Sequence, residues 1–90
     1  MSAKAEIDWR GRTDDGERRE VYARHVGSAW RFFERRRRYD EWRELPDPPL
    51  ADWLELLDAI ERLVQRRRQR PEEPDRIRDA IRSRFPEAGT

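Results

Sequence analysis

The chain has 90 residues, 46% of them charged, yet its 21 basic and 20 acidic side chains leave a net charge of only +1. Balanced charge excludes the one-signed tails and acidic segments that stay disordered, and the absence of cysteine excludes disulfides and zinc–thiolate centres. What remains is one small domain over 1–90 with a thin core, in which four tryptophans, each able to bury roughly 150–250 Å², supply much of the bulk. No apolar stretch resembles a signal peptide or approaches the roughly 20 residues of a membrane span, so the expectation is a cytoplasmic, non-membrane protein. Arginine outnumbers lysine 20 to 1, which supplies planar forks suited to carboxylates, phosphates and aromatic rings.

The first element is a strand over about 5–12, where Glu6-Ile-Asp-Trp-Arg alternates polar and apolar residues. Thr13-Asp14-Asp15-Gly16 supplies turn chemistry after it. Two further strands, about 19–26 and 29–36, flank Gly27-Ser28, which reads as a two-residue hairpin turn between segments rich in strand formers. The alternative is an all-α helical bundle in which Glu17–Glu44 is helical, aligning Tyr22, Val26, Ala29, Trp30 and Phe33. Gly27 in mid-helix would then cost about 1 kcal/mol relative to alanine.

A turn at Gly27-Ser28 dictates the pairing. Directly opposed residues share a face, so Val21, Ala23, His25, Trp30 and Phe32 lie together with Ile7 and Trp9 and form the core side. The opposite face carries Arg10, Arg12, Tyr22, Arg24, Arg31, Phe33 and Arg35. Arg24 opposite Arg31 is a like-charge pair that Glu20, Asp8, water or an external anion must offset. Tyr39 and Trp42 are expected to anchor the following connection against the core.

A helix is predicted over about 50–68, after Asp47-Pro48-Pro49, with an apolar stripe of Leu50, Trp53, Leu54, Leu57, Ile60 and Val64 widened by Leu56 and Leu63. Trp53, Leu57 and Ile60 are expected to meet Trp9, Trp30 and Phe32. Asp52 and Glu55 near its start and Arg66–Arg68 near its end complement the helix dipole. A shorter helix follows over about 74–84, with Ile77, Ile81 and Phe85 as its seam. The fold class is therefore α+β: a three-stranded antiparallel β-meander followed by two α-helices packed on one face.

Motifs for chemistry are absent. His25 is the only histidine and has no partner nucleophile in view. Asp14-Asp15-Glu17 lacks the spacing of a calcium loop, and no glycine-rich phosphate loop or nucleophile elbow occurs. The carboxylates Asp52, Glu55, Asp58 and Glu61 read as a polar helix face. The expectation is thus no enzyme, no metal and no cofactor.

Charge is unevenly spread, at +2 over residues 1–46, −4 over 47–65 and +3 over 66–90. A sheet beside an acidic helix resembles, in architecture alone, the three-stranded domains that lay a sheet in the DNA major groove. It is also similar to the last four elements of double-stranded-RNA-binding domains, although acids stand where those carry a lysine cluster. Basic runs at Arg35–Arg38 and Arg66–Arg70 are the candidate phosphate contacts. The expected function is a non-catalytic binding or adaptor domain with a protein partner. The alternative is nucleic-acid binding through the sheet face of Arg10, Arg12, Tyr22, Arg24, Arg31, Phe33 and Arg35.

Overall fold

The computed structural model describes residues 6–27 and 29–88. Four antiparallel strands precede two helices: β1 (Glu6–Arg12), β2 (Arg18–Val26), β3 (Ala29–Arg35), β4 (Arg43–Leu45), α1 (Leu50–Gln65) and α2 (Glu73–Arg84), with a 3-10 turn at Pro86–Ala88. The class is α+β and not all-α. The chain divides into two compact units at Pro48-Pro49, one holding the sheet and the other the helices.

In the first unit the strands follow one another across the sheet in the order β1-β2-β3-β4, leaving β1 and β4 as its outer strands. Thr13–Gly16 forms the first turn. The Gly16 amide donates to the Thr13 carbonyl at 2.9 Å and the Thr13 amide donates to the Glu17 carbonyl at 2.8 Å. Gly16 takes φ +85°, the left-handed position that follows a type I turn in a three-residue hairpin loop. Gly27 takes φ +63°, as the first central position of a two-residue hairpin turn requires. Its neighbour Ser28 lies outside the described residues, as does residue 5 of the predicted first strand.

The β2–β3 pairing is the one the turn dictates: Val26 opposes Ala29, His25 opposes Trp30, Arg24 opposes Arg31, Ala23 opposes Phe32 and Tyr22 opposes Phe33. On β1, Ile7 opposes Ala23 and Trp9 opposes Val21. Val21, Ala23 and Phe32 are fully buried. Trp9 lies edge-on to Phe32 at 6.0 Å between ring centres, and His25 stacks on Trp30 at 4.8 Å. Both tryptophans remain partly exposed.

This apolar side also holds an ion pair. Arg19 reaches Glu34 on the neighbouring strand at 3.0–3.1 Å, with side chains only 13% and 20% exposed. Partial burial makes such a bond costly to break from one side, because the surviving charge loses its counterion where water is scarce.

The segment after β3 departs from expectation. Arg43–Leu45 returns as a fourth strand, with Phe32 opposite Leu45, Phe33 opposite Glu44 and Glu34 opposite Arg43. Between the strands, the Asp40 amide donates to the Arg37 carbonyl at 3.0 Å and the Arg37 amide donates to the Asp40 carboxylate at 3.1 Å. Arg38 and Tyr39 form the tip of this turn. Tyr39 is 92% exposed and anchors nothing, so its expected core contact is wrong.

In the second unit, α1 and α2 form an antiparallel hairpin. Arg78 on α2 pairs with Glu61 on α1, while the Arg84 guanidinium lies 5.1 Å from the centre of the Trp53 ring. Pro49 precedes α1 in an extended conformation, and its carbonyl accepts from the amides of Asp52 and Trp53. The buried residues are Asp52, Trp53, Leu56 and Ile60 on α1, and Glu73, Pro74, Ile77 and Ile81 on α2. Leu56 replaces Leu57 in the core: Leu57 is partly exposed and Leu54 is 40% exposed. At 100° per residue, the buried arc of α1 is turned roughly 50° from the centre of the stripe the apolar residues suggest. The arc takes in Asp52, whose charge argued for an outward position.

α1 also ends three residues early. Arg67 adopts φ +60°. The Arg68 amide donates to the Leu63 carbonyl at 2.8 Å and the Arg67 amide to that of Val64 at 2.9 Å. These two bonds make a Schellman cap, whose left-handed residue is ordinarily glycine. Arginine there bears a Cβ penalty that glycine lacks, partly offset by the greater freedom of glycine in the unfolded chain. Arg67→Gly should therefore raise stability by about 0.5–1 kcal/mol, read as a higher denaturation midpoint. A lowered midpoint would contradict the strain assigned to this position.

Candidate binding surface

The outward face of the sheet is built by the alternation of β2 and β3. Tyr22 stacks on Phe33 with ring centres 4.8 Å apart and planes 15° from parallel. Trp42 closes over the pair, meeting Tyr22 edge-on at 4.7 Å. The Arg35 guanidinium lies 4.3 Å from the centre of the Trp42 ring and is held there by Glu20, which accepts from it at 2.9–3.0 Å. Glu20 and Arg35 are directly opposed in register. Tyr22, Phe33, Trp42 and Arg35 thus make one aromatic–guanidinium cluster, with Trp42 still 37% exposed.

Trp42 therefore belongs to the outward face, not to the core side expected for it. The signal was present in the pairing: extending the β3–β4 register by one residue past Glu34 and Arg43 puts Trp42 opposite Arg35. Only recognition of the short strand β4 would have exposed it.

The remaining predicted residues lie around this cluster but differ in their surroundings. Arg24 and Arg31 are opposed, nearer the Gly27 turn. Glu44 reaches Arg31 at 3.5 Å and offsets part of their repulsion, while Glu6 stands opposite Arg24 in the β1–β2 register. Glu20 is engaged by Arg35 instead. Arg10 opposes Glu20. Arg12 is drawn to the first turn, donating to the Gly16 carbonyl at 2.9 Å.

An open hollow of about 600 Å³ runs along this surface, lined among others by Asp8, Arg10, Glu20, Tyr22, Arg35 and Trp42. Its lining holds three acidic residues and three arginines, so it presents no dominant sign to a ligand. Among the described residues, no cluster of His, Cys, Asp or Glu could hold a metal ion. No described helix is long and apolar enough to cross a membrane.

The chain matches no protein-family profile, no curated protein and no solved structure.

Proposed function

We propose that the protein is a small, non-catalytic binding module whose outward sheet face engages a protein partner. The observation that carries this reading is the Tyr22–Phe33–Trp42–Arg35 cluster on a surface of mixed charge. Tryptophan, tyrosine and arginine are the side chains that most often dominate protein–protein binding energy. Their rings are already stacked against one another, so little side-chain freedom remains to be lost on association. The partner surface suited to this face carries an apolar or aromatic anchor ringed by charges of both signs.

Nucleic acid is the weaker reading for the same face. Two of its arginines are engaged, Arg35 by Glu20 and Arg31 by Glu44. A phosphate would have to displace a carboxylate from each, which removes much of the gain from counterion release.

A photo-crosslinking group introduced at Arg24 should capture a discrete protein from the native cell, and Trp42→Ala should abolish that product while leaving the fold intact. Loss of an aromatic anchor of this kind costs about 2 kcal/mol or more, roughly a 30-fold weakening. Generic DNA and RNA should not bind this face at physiological salt. Binding tighter than about 10⁻⁴ M that falls with Arg24→Ala would replace the protein partner with nucleic acid.

A further inference from the structure

A second hollow, of about 730 Å³, opens at the end of the sheet where β3 gives way to the turn at Arg37–Asp40. Its lining holds six arginines, Arg10, Arg18, Arg19, Arg36, Arg37 and Arg38, and only two acids, Glu17 and Glu20. Both acids are already engaged. Glu17 accepts from Arg36 at 3.0 Å, and Glu20 accepts from Arg35 at 2.9–3.0 Å. Arg19 is bound to Glu34. The guanidiniums of Arg10, Arg18, Arg37 and Arg38 form no ion pair among the described residues, although Glu20, bonded to Arg35, stands opposite Arg10 in register.

Four arginines outside any ion pair among the described residues thus line it from three separate segments: β1, β2 and the β3–β4 turn. The turn is fixed by two hydrogen bonds to Asp40, so Arg37 and Arg38 are brought there by backbone geometry. Gathering like charges opposes folding unless an anion joins them. The contrast with the sheet-face hollow, where acids and arginines balance, is internal to the same unit.

We infer that this hollow is a binding site for an oligophosphate group, two or three linked phosphates borne free or on a nucleotide. Guanidinium forks match phosphate oxygens in bidentate geometry, and charge assistance strengthens each bond. Concentrated charge is what favours linked phosphates over a nucleic-acid strand. Four such arginines lining one concavity suit several charges within one small group, whereas a strand spaces single charges along a track. Tyr39, 92% exposed beside Arg38, is the ring on which a nucleotide base would stack. The two hollows share Arg10, Glu20 and Arg38. Arg18 lines only this one and Trp42 only the sheet face, so substitutions there separate failure of this site from failure of the protein partner.

The test is titration of the full chain with inorganic pyrophosphate and tripolyphosphate at physiological salt, followed by calorimetry and by the arginine Nε–Hε resonances. Saturable one-to-one binding with a Kd below about 1 mM is expected. Arg18→Gln and Arg38→Gln should each weaken it about tenfold or more, and Arg62→Gln on α1 should change nothing. Unaltered thermal midpoints without ligand would show that the variants are folded. Equal affinity for pyrophosphate and ADP identifies the free linked phosphates as sufficient. Tighter ADP binding, reduced to the pyrophosphate level by Tyr39→Ala, identifies a nucleotide. No saturation, or binding that sulfate matches and the variants leave unchanged, overturns the site. Tighter binding of oligo(dT) than of tripolyphosphate, lost in the same variants, overturns the oligophosphate in favour of a nucleic-acid backbone.

Discussion

Replacing Leu56 with alanine should remove about 2–5 kcal/mol of stability, the range for deleting a fully buried leucine whose cavity cannot collapse. Leu56 has no exposed surface, and it lies on the arc of α1 with Trp53 and Ile60. Total stability for a chain this size is of the order of 5–15 kcal/mol, so the loss is a large share of it. Leu57→Ala is the informative companion. Its side chain is partly exposed and should cost clearly less, although apolar periodicity alone places Leu57 nearer the centre of the stripe. Chemical denaturation of the two variants measures the orientation of α1 directly. Equal losses would show that the buried arc includes Leu57 as fully as Leu56.

Phe32→Ala should be at least as severe, at about 3–5 kcal/mol. The ring is 1% exposed and meets the edge of Trp9, so truncation removes both its own burial and an aromatic contact. Its neighbour Phe33 points to the other face, where it stacks on Tyr22 and remains partly exposed. Phe33→Ala should therefore cost less stability than Phe32→Ala while damaging the cluster around Trp42. A one-residue slip of β3 would exchange these two outcomes, because it moves every side chain to the opposite face. The pair of denaturation curves is a test of register as well as of burial.

The hairpin of β2 and β3 was legible because two signals agree there. Alternation over several residues marks both strands, and Gly27 marks the only turn that keeps Val21, Ala23 and Phe32 together. The β4 strand carried no comparable signal, since Arg43-Glu44-Leu45 is too short to show a period. With β4 unseen, Trp42 could not be placed opposite Arg35, and the aromatic cluster lost its exposed member. The orientation of α1 was misjudged because a first-turn aspartate reads as solvent-facing, whereas Asp52 is only 2% exposed. The end of α1 was hidden for a different reason: the cap uses arginine at the position where glycine would have announced it. The arginine-lined hollow was only half visible. Arg35–Arg38 stood out as a run, but Arg10 and Arg18 reach the same place through strand pairing that composition does not reveal.

The outer position of β1 has a bearing on how this protein behaves when crowded. An unpaired strand edge is a template for fibril growth, in which identical segments stack parallel and in register. Along β1 the residues Glu6, Asp8, Arg10 and Arg12 are all exposed. Parallel stacking of identical copies would set each of them against its own sign, four repulsions in seven residues, with Gly11 adding a weak strand former. An electrically balanced chain cannot rely on net charge to keep its copies apart. Here the protection is local, written into the alternation of a single edge strand, and it would persist at the pH where the molecule as a whole carries no charge.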